Sequence, residues 1–228
     1  MAIPIELIVD RQIRRWELEK SKPESVISAK RAEGPIITIS RQRGSNGSLV
    51  AELLAGMTGF TLISRDIIDQ ISADIGVQKR LVETLDEGVR SSFELWVEGL
   101  FKGRIVDSSD YIKSLARIIG AISRHGYSII VGRGANFLLG MHRGFHVRIV
   151  ADYDFRVKTI ADRKKISEAE ARADIDRTDE QRRKFIKTHF DRDIDDPRAY
   201  DIMINGTHFT PEQMARTILG IYPTKVLP

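Results

Sequence analysis

The chain has 228 residues, 42% of them hydrophobic and 30% charged, with 17 glycines and 7 prolines. That profile is one of a soluble globular chain, large enough for one domain plus a short extension, and it excludes collagen-like, low-complexity and mostly disordered proteins. Its 36 Lys and Arg against 32 Asp and Glu leave a net charge of +4, too mild to call for nucleic acid yet suited to a small anionic ligand. Cysteine is absent, which excludes disulfide scaffolds, thiolate zinc sites, iron–sulfur clusters and cysteine nucleophiles. No run approaches the roughly 18 apolar residues of a membrane helix. The opening MAIPIELIVDRQIRRWELEK has neither the basic start nor the small-residue cleavage site of a signal peptide. The expectation is a cytoplasmic protein with no membrane and no nucleic-acid partner.

Taken in chain order, residues 1–34 read as an appendage. Ile5, Val9, Ile13 and Trp16 fall at helical spacing, with Arg11, Arg14 and Arg15 between them, so one amphipathic helix is predicted, ending near Lys20 to Pro23. It packs on the main domain or on a second subunit, and a homodimer through this helix is one expectation. From Pro35 the pattern changes to short apolar strands separated by helices. IITIS (36–40), FTLIS (60–64), YSIIVG (127–132), FHVRIV (145–150) and YDIMIN (200–205) read as five strands. Leu49, Val50, Leu53, Leu54 and Met57 mark a helix after the first. Residues 65–125 read as helical, in pieces around 65–75, 77–102 and 109–124, and 153–190 as charged and helical. Thr210 caps a last helix with Pro211 at its first position. Such alternation gives a parallel sheet covered on both faces. The helical stretch between the second and third strands is too long for one crossover and is placed over the sheet's C-terminal edge, where α/β proteins bind ligands.

The first strand opens into RQRGSNGS (41–48) and then a helix. A turn of this kind aims several backbone N–H groups at one spot, and the helix adds its positive end, so phosphate is the natural occupant. The pattern GxxxxGK[ST] is not met, because Gly47 stands where the lysine would be. Gly44, Ser45, Asn46, Gly47 and Ser48 remain to cradle phosphates. Ser48 offers its hydroxyl to Mg²⁺, and Arg41 and Arg43 flank the turn as replacement positive charge. The five histidines show no metal-ligand spacing: His142 and His146 are four apart, but in a loop before a strand. Neither a G-x-S-x-G elbow nor a G-x-G-x-x-G dinucleotide turn is present.

ITISRQRGSNGSLVAELLA, DEGVRSSFELW, IIVGRGANFLL and YDIMINGTHFTPEQMARTI together resemble the cytidylate kinase-like proteins, a branch of the P-loop nucleoside monophosphate kinases. The resemblance runs from about Ile36 to Ile221. It implies an α/β, three-layer P-loop kinase fold with a five-stranded parallel sheet, a helical monophosphate-binding insertion at 65–125 and an arginine-rich lid at 153–190, all within a domain at 35–222 that leaves a tail at 223–228. It implies ATP and Mg²⁺ as cofactors and small nucleotides as partners, CMP or dCMP foremost.

The resemblance also implies roles for single residues. Arg133 in VGRGAN resembles the arginine of the GRD motif that holds the monophosphate, with Gly134 where the aspartate would be. Asp179 and Arg182 resemble a D-x-x-R pair that contacts the pyrimidine monophosphate, and Arg156 matches the arginine that opens the lid. Another family arginine is replaced near Ile175, with Arg177 as its substitute. Ser64 stands where relatives carry an aspartate, with Asp66 either its shifted substitute on the acceptor side or a helix-start carboxylate, and the Asp86–Glu87 pair matches without a chemical role. The set is then Arg43, Arg156 and Arg177 as catalytic cations over the γ-phosphoryl group, residues 41 and 44–48 on the ATP phosphates, and Asp66, Arg133, Asp179 and Arg182 on the acceptor. Planar guanidinium forks suit phosphate oxygens, and phosphoryl transfer asks mainly for such cations in line. Two function classes stand: a monophosphate kinase, and a non-catalytic nucleotide- or phosphate-binding module on the same fold. A kinase of another small acceptor is a variant of the first.

Overall fold

The computed structural model describes residues 4–20, 34–85, 87–102, 109–141 and 143–226. Its frame is a parallel sheet of five strands: β1 (Ile36–Arg41), β2 (Thr61–Ile63), β3 (Ser128–Val131), β4 (Phe145–Val150) and β5 (Ile202–Asn205). The strands lie in the order β2-β3-β1-β4-β5. The IITIS run therefore becomes the central strand, pairing Thr38 with Ile130 on one side and His146 on the other. Side chains alternate between the two faces of a strand. Ile37 and Ile39 of β1 point into a core shared with α2 (Gly47–Thr58) and α10 (Pro211–Val226). Ile36 points to the opposite face, where α3 (Arg65–Ala73), α4 (Ile75–Glu83), α5 (Glu87–Lys102), α6 (Asp110–His125) and α7 (Ala135–Leu139) complete the second core. Thr38 and Ser40 share that second face, so the polar members of β1 collect at one end of the strand.

Helix α1 (Ile5–Lys20) turns its apolar side onto this second core, with Val9 fully enclosed. Gln12 donates to the Gly126 carbonyl at 2.5 Å, and Arg15 donates to the Gly59 carbonyl while lying over the rings of Phe60 and Tyr127. No helix among the described residues is long and apolar enough to cross a membrane.

Two helical stretches break where residue charge and hydrophobicity gave no sign of it. The 77–102 piece divides into α4 and α5, and Thr84 puts its hydroxyl on the Leu81 carbonyl at the break. The 153–190 segment divides into α8 (Tyr153–Lys164) and α9 (Glu168–Phe190). Lys165 takes a left-handed conformation at the end of α8, and Ser167 with Glu170 forms a reciprocal capping box at the start of α9. The two helices close on a small core of Val157, Ile160, Ala171 and Ile175. Ile175, the position of the missing family arginine, is thus an interior residue. Thr210 caps α10 as its sequence predicts, exchanging hydrogen bonds with Gln213.

Candidate active site

The turn between β1 and α2 is held by its own short side chains. Ser45 is buried and donates to the carbonyls of Gln42 and Ile149, so its hydroxyl anchors the turn from beneath. Gly44 has φ +83°, and a Cβ there would sit 2.7 Å from the Arg156 carbonyl oxygen. Asn46 is left-handed at φ 62°. A Cβ on Gly47 would meet the Arg41 Cβ at 2.5 Å, so the approach of Arg41 explains why no lysine occupies this position. Among the described residues, the backbone N–H groups of Asn46, Gly47 and Ser48 have no hydrogen-bond partner, as the first turn of a helix leaves them. Ser48 is exposed beside them. From the last turn of α8, Arg163 donates to the Asn46 side-chain oxygen at 2.6 Å. A neutral acceptor leaves that cation's charge uncompensated at the mouth of the turn.

A cavity of about 180 Å³ opens next to the turn, at the C-terminal ends of β1 and β3. Thr38, Ser40 and Arg41 of β1 form one wall, with Arg133 following β3, Arg65 of α3, and Arg182 and Phe185 of α9 around them. Four guanidinium groups thus share one small space. Burial, reinforced by Arg182, Arg65 and Arg43, pushes the Arg41 guanidinium down to about 9 from its usual 12.5. Burial, with Arg43, Arg65 and Arg148 nearby, also lowers Arg182, although Asp179 opposes this. Such a cluster is an unfavourable arrangement of like charges that an anion relieves.

Arg133 is fixed at φ 53° between two glycines that also have positive φ, Gly132 and Gly134. A Cβ on Gly132 would come within 2.8 Å of Arg41 Nη1, and one on Gly134 within 2.5 Å of the Phe190 ring. The glycine in place of the motif's aspartate is therefore a packing requirement. Asp69 grips the Arg133 guanidinium through Nε at 2.8 Å and through Nη2, and the Tyr111 hydroxyl donates to Asp69 at 3.2 Å. The guanidinium lies 5.8 Å from the Tyr111 ring centre and 5.5 Å from that of Phe185. Burial, with Arg133 opposing and Asp69 adding to it, pushes the Tyr111 phenol up to about 12.

Two carboxylates tie the charged helices to the turn. Asp179 accepts from the Arg43 backbone N–H at 2.8 Å, from Arg156 Nη1 at 2.6 Å and from Arg182 Nη1 at 3.4 Å. Asp174 gathers Arg43, Lys164 and Arg177, each at 2.9 Å. Arg156 is nearly buried, and its Nε donates to the Ala151 carbonyl while Nη1 also reaches that of Arg43.

The model of the cytidylate kinase-like family matches residues 36–208. The chain belongs to the cytidylate kinase-like family. A curated relative, the cytidylate kinase of Sulfolobus acidocaldarius, is 27% identical over 196 residues, 84% of this chain and 96% of the relative. A crystal structure of an uncharacterized protein from Eubacterium ventriosum overlays with a TM-score of 0.67 at 22% identity, covering 83% of this chain and 98% of that one. At that identity the overlay speaks for the fold, which is the α/β kinase fold with its parallel five-stranded sheet. Family membership supports a kinase.

Within this cytidylate kinase-like frame the sequence-predicted residues fall into three groups. Arg41, Arg133 and Arg182 meet in the cavity. Arg43, Arg156 and Asp179 form the seam between the turn and helices α8 and α9. Asp66 and Arg177 stand apart: Asp66 is exposed and paired with Arg65, and Arg177 is 68% exposed and bound to Asp174 on its own helix. Ser64 caps α3, accepting from the Ile67 N–H. Asp86 lies outside the described residues, and Glu87 begins α5. His146 is tied to Thr38 at 2.7 Å and to the Gly140 carbonyl at 2.8 Å, while His142 is outside the described residues. Asp69, Tyr111 and Phe185 were missed by sequence reasoning. Asp69 lies four residues after Arg65, on the same helix face, and that spacing was the available signal.

Proposed function

We propose that this protein is an ATP-dependent nucleoside monophosphate kinase with CMP or dCMP as its acceptor, transferring the γ-phosphoryl group directly and in line. The observation that carries this reading is the gathering of Arg41, Arg65, Arg133 and Arg182 around one cavity beside the glycine turn. A monophosphate in the cavity meets guanidinium forks, and its base meets the aromatic and aliphatic wall of Phe137, Phe185 and Ile186. ATP lies with its β-phosphate on the free N–H groups of residues 46–48, at the positive end of α2. The charge that Gly47 leaves out comes from Arg163, already at Asn46. Arg156, bound through Nε and Nη1 to Ala151, Arg43 and Asp179, holds the turn in shape, and Arg177 is the exposed lid cation that reaches the γ-phosphoryl group when the lid closes. The acceptor is already an oxyanion, so no general base is needed.

The described residues hold no cluster of three His, Cys, Asp or Glu fit for a metal. What fits is Mg²⁺ entering on the ATP phosphates, with the exposed Ser48 hydroxyl as the protein group that would hold it. Bound there, the ion neutralises charge on the phosphate oxygens.

The decisive measurement is ADP release with Mg-ATP across a panel of nucleoside monophosphates, repeated with Arg133→Ala. CMP and dCMP are expected to turn over best. Arg133→Ala is expected to raise the acceptor KM at least about tenfold, the scale of a lost charge-assisted contact, with the ATP KM unchanged. Nucleotide binding without turnover of any acceptor would instead favour a binding module, the reading supported by the exclusion of lysine at Gly47.

A further inference from the structure

Arg133 is positioned by residues from another part of the chain. Its own segment, between Gly132 and Gly134, is left-handed throughout and fixes the backbone without fixing the long side chain. What fixes the side chain is Asp69 on α3. One carboxylate oxygen accepts from Nε at 2.8 Å and the other from Nη2. A two-point grip of this kind sets the plane of a guanidinium, which a single contact does not. Tyr111 of α6 completes the arrangement, donating to the same carboxylate oxygen that takes Nε. Its ring and that of Phe185 flank the guanidinium.

The pair is partly solvated, with the Arg133 side chain 20% exposed. The Asp69 side chain is 36% exposed, and solvent screening at such exposure keeps the stability contribution of the pair modest. The grip does have a chemical consequence. Arginine presents five N–H donors in a rigid fork, and the carboxylate takes the edge formed by Nε and Nη2. Among the described residues Nη1 has no partner, and Arg133 lines the cavity.

We propose that Asp69 and Tyr111 are positioning residues for the acceptor: they hold the Arg133 guanidinium in the plane in which its uncommitted edge meets the incoming phosphate. This rests on reading the cavity as the acceptor site. Asp69 and Tyr111 belong to the helical insertion, whereas Arg133 belongs to the sheet. The acceptor arginine is therefore complete only when the insertion is docked, which couples docking of α3 and α6 to acceptor affinity.

The test compares wild type, Asp69→Asn and Tyr111→Phe in full-length protein. Binding of CMP and of inorganic phosphate is measured by calorimetry, beside steady-state kinetics and the thermal midpoint. Asparagine keeps the shape but puts an N–H₂ against guanidinium donors. Asp69→Asn is expected to weaken CMP binding and raise the acceptor KM about tenfold, with the ATP KM and thermal midpoint unchanged. Tyr111→Phe keeps the ring and removes one hydrogen bond, so a shift of about threefold in the same direction is expected. Should Asp69→Asn fail to fold, the Tyr111→Phe arm decides alone. Unchanged CMP affinity in the folded variants overturns the proposal. Tighter CMP affinity in Asp69→Asn overturns it too, because Asp69 would then compete with the phosphate. Wild type that binds CMP without turning it over removes the kinase reading and leaves the binding comparison to decide this one. Wild type that binds neither CMP nor phosphate removes both.

Discussion

Arg156 donates to Asp179 across 2.6 Å, and the Arg156 side chain is only 8% exposed. The other Asp179 oxygen takes the Arg43 backbone N–H, so one carboxylate joins α8, α9 and the glycine turn. Breaking such a pair leaves an uncompensated buried charge. Arg156→Ala or Asp179→Ala is therefore expected to cost about 3 kcal/mol of stability, read as a lower denaturant midpoint at unchanged slope. Arg156→Lys does not rescue, because the ammonium cannot serve Asp179 and the carbonyls of Ala151 and Arg43 together. An activity loss in Arg156→Ala with no loss of stability would return this arginine to direct contact with phosphate.

Arg163 gives the contrasting case. It is exposed and held by a neutral amide oxygen at 2.6 Å, so its removal leaves the fold intact. Arg163→Ala is expected to weaken binding of ATP and of inorganic triphosphate about tenfold or more, with CMP binding unchanged. The wild-type affinity for triphosphate should fall as salt rises, and the variant's should fall less steeply. Equal triphosphate affinity in the two proteins would remove Arg163 from the donor site.

The difference between these two arginines marks what the sequence could reveal. The IITIS strand was readable because a β-branched run bounded by Pro35 has few other fates, and the glycine turn because its residue types permit little else. The place of Arg133 after β3, between two glycines, was readable. The uses of the lid arginines were not, because a charged helix carries the same composition whether its guanidinium groups meet solvent, carbonyls or phosphate. Arg156 is committed to backbone carbonyls that come near only after β4 and the turn are assembled. Asp69 reads as an ordinary solvated carboxylate until α3 docks against the segment after β3. Asp66 had the better local credentials, at the start of a helix, yet that position points to solvent.

Two groups set separate acid limits on stability. Burial raises the Asp174 carboxyl, but hydrogen bonds from Lys164 and Arg43 outweigh it and leave it at about 2, against an ordinary 3.8. A depressed carboxyl contributes stability that is full above the unfolded value and is lost as pH falls through the folded one. The loss from Asp174 is thus expected as pH falls from 3.8 towards 2. Burial pushes the His125 imidazole down to about 4 from 6.5. The folded state keeps it neutral while the unfolded chain takes up a proton, so stability falls as pH drops from 6.5 to 4. Unfolding midpoints measured across both windows should show Asp174→Asn flattening the lower limb and His125→Gln the upper. The same slope in wild type and variant would rule out the assigned group.

Restoring the aspartate at position 134 tests whether packing or chemistry selects the glycine. By motif alone, Gly134→Asp should improve acceptor binding. By geometry it should not, since the residue has φ +66° and a Cβ would meet the Phe190 ring at 2.5 Å. Phe190 closes α9 and stacks on Phe137 at 5.8 Å between ring centres, so the ring cannot yield without moving the lid helix. The expected result is a loss of about 1–3 kcal/mol from strain and overpacking and a higher acceptor KM. Phe190→Leu makes room at the same point. In the double variant the two losses should sum to less than their separate values, a coupling of the kind neighbouring residues show. Strict additivity, or a Gly134→Asp variant as stable as wild type, would mean that Phe190 does not dictate the glycine.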